Sequence, residues 1–314
     1  MTEHLSEAAG GPLYPIREVS RLTGVNSVTL RAWERRYGLI QPRRTPKGHR
    51  LYAREDIERV ERILQWLNRG VPVSQVSDLL DRNATSSVTS APRETTGSIE
   101  ADWQHQAQEA VMAVETFDVP RLDTLFTRSM GLYPVHTAIS RLWRPVVEQL
   151  ETRWQNTPDG CAQRHFFESF LRTRLGLRLY HGNLEHNEPK LLMSRLPDDP
   201  SLLWLLLLAF TASSGGFNIT FFDAPVPLGQ LPMTARRINA QAVLLAGGTT
   251  DRTGETRSAL FDLRSQLDAP LCICGPFARD SEQDCSTHDL LALDDDPAQA
   301  VSQLRALINH PIAG

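Results

Sequence analysis

From Asn83 to Ile99 the chain reads NATSSVTSAPRETTGSI, rich in Ser, Thr, Ala and Pro and without an apolar period. A hydrophobic core does not continue through such a stretch, because it buries too little to offset the entropy of ordering it. The chain therefore divides here, and residues 83–100 are expected to form a flexible linker. The length of 314 residues agrees with that division, since roughly 100–200 residues per domain gives two or three units.

The two sides differ in charge. Residues 13–82 hold 14 Lys/Arg against 8 Asp/Glu, and residues 83–314 hold 19 against 27. The net charge of −4 conceals this asymmetry. Within Arg31–Arg54 eight basic residues face one acid and interleave with Trp33, Tyr37 and Tyr52. A compact basic patch on an acidic chain points to a polyanionic partner at one end. The longest apolar run, Leu202–Phe210, is nine residues, well short of the ~18 that a spanning helix needs, so no membrane partner is expected. Met1–Gly10 carries two acids and no base, unlike a secretory signal, and four cysteines make no disulfide framework. A cytoplasmic protein is expected.

The basic lobe has a definite grammar. Ile16, Val19, Leu22 and Val25 space as one short amphipathic helix, Gly24 supplies a turn, and Asn26 or Ser27 can cap a second helix from about Ser27 to Tyr37. Leu30 and Trp33 share its buried face, which leaves Thr29, Arg31, Arg35 and Arg36 to project outward. A helix, a tight turn and a basic second helix make the arrangement that enters a major groove. Leu39–Tyr52 then reads as two short strands around a Pro/Gly turn. In this wing Arg43, Arg44, Lys47 and Arg50 are positioned to neutralise phosphates. Helices over Asp56–Arg69 and Val73–Asp81 close the small core.

These strings, YPIREVSRLTGVNSVTLRAWERRYGLIQPRRTPKGHRLYAREDIERVERILQWLNRGVPVSQVSDLL at residues 14–81, resemble the winged helix-turn-helix domain of the MerR family of transcription regulators. Thr-Leu-Arg-x-Trp, Tyr-Gly-Leu and Gly-His-Arg-x-Tyr coincide in one register. Arg-Ala-Trp-Glu-Arg-Arg-Tyr-Gly-Leu resembles the MlrA/CarH-like subgroup. The resemblance implies that Thr29, Arg31, Trp33, Arg35 and Tyr37 belong to the recognition helix, and that Arg50 and Tyr52 belong to the wing end that meets the DNA backbone; His49 is a further candidate DNA contact. It also implies a dimer or higher homo-oligomer on promoter DNA, acting either by distorting the promoter for RNA polymerase or by occluding it. The coiled coil that many members carry after the DNA domain is replaced here by the linker, which favours self-association through the carboxy-terminal half.

The acidic side is expected to be multidomain, α and α/β. Residues 101–184 read as a four-helix bundle: Trp103, Ala107, Ala110, Val111 and Val114 make a helical stripe, Pro120 and Pro134 sit where helices start, and Asn156–Gly160 is a break. In residues 188–312 strands near 190–196, 218–223, 242–246, 270–274 and 289–293 alternate with helices, the pattern of a flavodoxin-like (Rossmann-like) parallel sheet.

A bundle followed by such a sheet resembles the light-sensing, cobalamin-binding half of CarH-type proteins. The resemblance places Asp199 in the loop motif Asp-x-His-x-x-Gly. Ser201 then stands where the cobalt-ligating His belongs and Trp204 where the Gly belongs. A hydroxyl is a poor substitute for imidazole on cobalt. Trp154, Arg164 and His165 match the family's Trp and Glu-His above the corrin, with Arg for Glu, and Gly247-Gly248 follow the third strand. A possible effector pocket is therefore Trp154, Arg164, His165, Asp199, Ser201, Gly247 and Gly248. No bound metal and no cofactor are expected, and cobalamin stays open as the alternative, in a light-responsive regulator. Three readings remain: a degenerate interaction domain, a pocket for another small ligand, or cobalamin held through His165 or without a lower ligand. A corrinoid enzyme module and an antagonist that sequesters a related regulator are the rival classes. Cys272 and Cys274 would lie on one face of a strand as small buried residues. No arrangement argues for an enzyme.

Overall fold

The structure, a computed structural model, describes residues 12–68, 71, 73–83, 93–185, 189–196, 199, 201–224, 226–248, 255–280 and 289–309. The chain falls into two compact units. The first holds the amino-terminal lobe through Gln106 together with Asp123–Ala138, and the second holds Ala107–Leu122 and everything from Ile139 onward.

In the first unit β1 (Tyr14–Pro15) leads into α1 (Ile16–Thr23), and α2 (Ser27–Tyr37) follows. Between them Gly24 takes φ 70° in the left-handed region, where a Cβ would be strained. The Asn26 side chain then accepts the Val28 N–H and caps α2. The wing is β2 (Arg43–Arg44) and β3 (Arg50–Tyr52), and β1 joins them in an antiparallel sheet ordered β1-β3-β2. Helices α3 (Arg54–Asn68) and α4 (Val73–Asn83) close the core around Val19, Val25, Leu30, Trp33, Val60 and Ile63, all fully buried. Leu22, expected on the buried stripe of α1, is exposed instead.

Two helices run through both units: α5 (Arg93–Glu115) and α6 (Val119–Leu132). The beginning of α5 corrects the expected linker of residues 83–100. Residues 93–100 are helical, and the remainder, 84–92, lies outside the described residues. Helix propagation costs little once a nucleus exists, so the apolar stripe from Trp103 to Val114 carries the helix back to the residue after Pro92. The third bundle element is interrupted as well. A short α7 (Val135–Ala138) passes into a π-helical turn (Ile139–Trp143) before α8 (Arg144–Trp154). Pro145 has no N–H to give the carbonyl four residues back, so the ladder loosens there. The fourth helix is α9 (Gly160–Glu185).

In the second unit a five-stranded, wholly parallel sheet has the order β5-β4-β6-β7-β8. Its strands are β4 (Lys190–Arg195), β5 (Asn218–Phe221), β6 (Ala242–Ala246), β7 (Leu271–Cys274) and β8 (Leu291–Ala292). The order reverses beside β4, as in doubly wound folds. Helices α11 (Leu231–Ile238), α12 (Glu255–Gln266) and α13 (Pro276–Asp280) pack one face, where Leu192, Val243, Leu245, Leu271 and Ile273 point. On the other side α10 (Leu203–Ser214) is buried from end to end and packs on α9 and on α14 (Pro297–Asn309). The fully apolar strands β6 and β7 are what burial on both faces requires.

Candidate nucleic-acid interface and effector crevice

Helix α2 sorts its side chains by period. Leu30 and Trp33 are fully buried, while Arg31, Arg35 and Arg36 are exposed. Val28, one turn before Arg31, is 57% exposed, which sequence reasoning missed. Its place on the 28-31-35 stripe was the available signal.

Three residues expected to face DNA do not. Thr29 is 1% exposed, Trp33 is 0%, and Tyr52 is 0%. For Trp33 the reason is its indole N–H, which donates to the Leu132 carbonyl at 2.8 Å. Tyr52 points into the core with its hydroxyl unpartnered, and burial pushes its pKa up to about 12. Tyr37 is half-buried.

On the wing, Arg43, Lys47 and His49 are exposed around a turn in which Gly48 takes φ 80°. Arg44 and Arg50 are engaged. Both donate to Glu34 of α2, Arg44 at 2.7 Å and Arg50 through its Nε. Burial alone would raise the Glu34 pKa, but the hydrogen bonds from Arg50 and Arg44 outweigh it and hold the carboxyl below its ordinary value. Glu34 is the single acid of the Arg31–Arg54 window, so the composition had marked it, though not its role as the clamp between recognition helix and wing.

The crevice lies within the second unit, at the carboxyl ends of β4 and β6. Asp199, 2% exposed, accepts the Gly248 N–H at 2.7 Å and the Ser201 N–H at 2.8 Å, and so ties the loop after β4 to the loop after β6. The Trp204 indole lies over Gly248: a Cβ there would stand 2.8 Å from Trp204 Nε1. At Gly247 a Cβ would stand 2.3 Å from Asp199 Oδ2. The bundle closes down on the same residues. Glu151 of α8 accepts the Trp204 Nε1–H at 2.8 Å, and Glu168 of α9 accepts the Leu202 N–H at 2.7 Å. Burial raises the Glu151 pKa despite the indole donor, with Asp199 adding to the rise, and its Oε1 has no partner. Trp154 is buried and donates to Gln163 at 2.9 Å, with the Arg164 guanidinium 5.4 Å from its ring centre. The exposed His165 has its Nδ1 3.3 Å from Glu168 Oε2. Asp199, Ser201, Gly247 and Gly248 thus lie together with Glu151 and Glu168, neither of which sequence reasoning singled out, whereas Trp154 pairs with Gln163 and Arg164.

Elsewhere Cys272 and Cys274 are buried in β7, and burial pushes both thiols up to about 12. Among the described residues no group of three or more His, Cys, Asp or Glu is placed to hold a metal, and no helix is long and apolar enough to cross a membrane.

A capped helix-turn-helix whose second helix is clamped to a basic wing defines a winged helix-turn-helix regulator. Residues 14–83 match the MerR HTH family regulatory protein domain. The HTH-type transcriptional regulator MlrA of Salmonella typhimurium LT2 is 30% identical over 208 residues, which cover 66% of this chain and 78% of that protein. The HTH-type transcriptional repressor CarH of Myxococcus xanthus is 24% identical over 275 residues, covering 87% and 92%. The chain belongs to the MerR family of transcription regulators. A solved structure, the methanol:cobalamin methyltransferase complex MtaBC from Methanosarcina barkeri, covers 75% of this chain and 92% of that chain at 9% identity and a TM-score of 0.34, and at that score the likeness carries no argument.

Proposed function

We propose that the protein binds promoter DNA sequence-specifically as a dimer or higher homo-oligomer, and that its carboxy-terminal half serves sensing or assembly without cobalamin. The observation that carries the first clause is the outward row Val28, Arg31 and Arg35 on a helix whose wing Glu34 holds in place. Arg31 reads base edges, Arg35 and Arg36 flank it, and Arg43, Lys47 and His49 track phosphates. Arg44 and Arg50 act chiefly through Glu34. RNA polymerase or a related regulator is the protein partner that transcriptional control requires. Arg31→Ala is expected to weaken specific binding by about 1–3 kcal/mol in fluorescence anisotropy if it reads a guanine. Unchanged operator affinity would remove that role.

The second clause rests on the crevice. Its residues do not fit a corrinoid. Ser201 offers a hydroxyl where cobalt would need an imidazole, the Trp204 indole covers Gly248, and the bundle bonds directly to the loop below it through Glu151 and Glu168. Purified protein mixed with hydroxocobalamin and desalted is expected to show no corrin absorbance. Retention of one equivalent per chain overturns this clause and restores the cobalamin-dependent reading.

A further inference from the structure

The outward side of α2 carries an apolar residue among its arginines. At about 100° per residue, Val28 and Arg35 lie roughly 20° apart around the helix, and Arg31 lies about 60° from Val28. Leu30 and Trp33, both fully buried, take the opposite side. Val28 is 57% exposed, more than any other large hydrophobic residue among the described residues of the winged lobe, where Leu22 is 48% exposed and Leu13 39%. The Asn26 side chain accepts the Val28 N–H at 2.9 Å. The cap therefore fixes the backbone of Val28 while its two methyl groups stay in solvent. Helix formation does not favour Val at this position, because Ala forms helix better and the side chain gains little from burial.

We propose that Val28 is a specificity-determining residue that contacts the C5 methyl group of a thymine in the bound DNA. The inference rests on the DNA-binding reading above and adds to it the chemical group that one side chain recognises. A lone exposed Val on an ordinary helix face needs no explanation. This one stands in line with two exposed arginines in the first turn of the recognition helix, and helices of this class turn their amino-terminal residues to base edges in the major groove. Of the groups displayed in that groove, the thymine methyl is the apolar one. A guanidinium reads the acceptors of guanine, whereas a branched aliphatic side chain offers no hydrogen bond and gains by covering a methyl group. Val28 thus selects a base by shape and burial, next to the arginines that select by hydrogen bonding.

The experiment uses the full-length protein and a duplex selected by the wild type from a random library. Each thymine of that duplex is replaced in turn by deoxyuridine, which removes the methyl group and keeps every hydrogen-bonding atom, and affinities are measured by fluorescence anisotropy. The wild type is expected to lose about fourfold at a defined thymine position, the equivalent of one methyl group left in water. Val28→Ser removes both methyl groups at a similar helix propensity. Its melting temperature should match the wild type, and it should bind the thymine and deoxyuridine duplexes equally. Val28→Thr keeps one methyl group and should retain part of the ratio. Arg43→Ala, on the wing, should bind both duplexes more weakly and keep the fourfold ratio, so that weak binding alone does not account for its loss. A purely structural role for Val28 would weaken both duplexes alike and leave the ratio unmoved. A wild type indifferent to deoxyuridine at every thymine, or a wild-type ratio in Val28→Ser, overturns the inference. Failure of the wild type to select any duplex refutes the DNA-binding reading itself.

Discussion

Two glutamates set the ends of this molecule apart. Glu34 in the winged lobe and Glu151 above the crevice are both withdrawn from water, and both accept side-chain hydrogen bonds, Glu34 from two guanidiniums and Glu151 from an indole. Their acidities move in opposite directions. Two guanidiniums hold Glu34 below its ordinary pKa, whereas burial against an indole, with Asp199 nearby, raises Glu151. The donors explain the contrast: a charged donor stabilises the carboxylate more than an indole does. The amino-terminal lobe is therefore organised around charge kept at the surface, and the crevice around polar groups closed off from solvent.

The largest break of that comparison is expected at the crevice. Trp204→Ala removes a side chain that is 3% exposed and lies across Gly248, so the unfolding free energy should fall by roughly 3–5 kcal/mol in urea titration. DNA affinity of the folded fraction should be unchanged. Next in size is Glu34→Gln, which weakens two charge-assisted bonds. Specific DNA affinity should fall by about 1–3 kcal/mol, while non-specific affinity at low salt rises because Arg44 and Arg50 are no longer neutralised. A sharper test sets neighbouring arginines side by side. Arg43→Ala should lower the slope of log affinity against log salt by about 0.9, and Arg44→Ala by less, because Glu34 already neutralises it.

The smallest effect concerns Glu151 and pH. Its raised folded-state pKa means that the folded protein holds this proton more tightly than the unfolded chain. The contribution to stability is thus full in acid and lost as pH rises through the folded value. Glu151→Gln keeps an acceptor for Trp204 and removes the charge, so its stability relative to wild type should grow from acid to neutral pH. Glu34 behaves oppositely. Its lowered pKa stabilises the fold above the unfolded value, and that contribution disappears as pH falls through the folded one. Melting curves of Glu34→Gln and Glu151→Gln across pH should therefore diverge in opposite senses. Parallel curves would remove the contrast.

Much of this was legible in the residues. The alternation of strands and helices after Pro189 gave every strand of the parallel sheet, because strands buried on both faces leave uninterrupted apolar runs such as Ala242–Ala246. Asn26, Gly24 and the spacing of Leu30 and Trp33 placed the recognition helix. One cause of error is the choice of partner. Periodicity assigns a residue to a face but not to a partner. Trp33 read correctly as buried and also as a DNA contact by resemblance, and only its bond to Leu132, 99 positions away, decides between the two. Tyr52 failed in the same way, whereas for Thr29 and Leu22 the period named the wrong face, Thr29 being 1% exposed and Leu22 48%. The π-helical turn escaped because Pro145 signals a helix start as readily as a loosened turn.

By itself, then, the sequence determined the local order: which segments are helix or strand, which face of each is apolar, where the positive charge gathers, and that no imidazole stands at position 201. Local propensity and burial periodicity act over a few residues, and one chain records them in full. Only the tertiary structure decided which charges remain free for a partner and which are spent on Glu34, that Trp204 and Glu151 meet across the crevice, and that the Trp33 indole donates to the Leu132 carbonyl. Each of these is a pairing between distant residues, settled when packing brings together helix ends and buried polar groups that must find partners away from water.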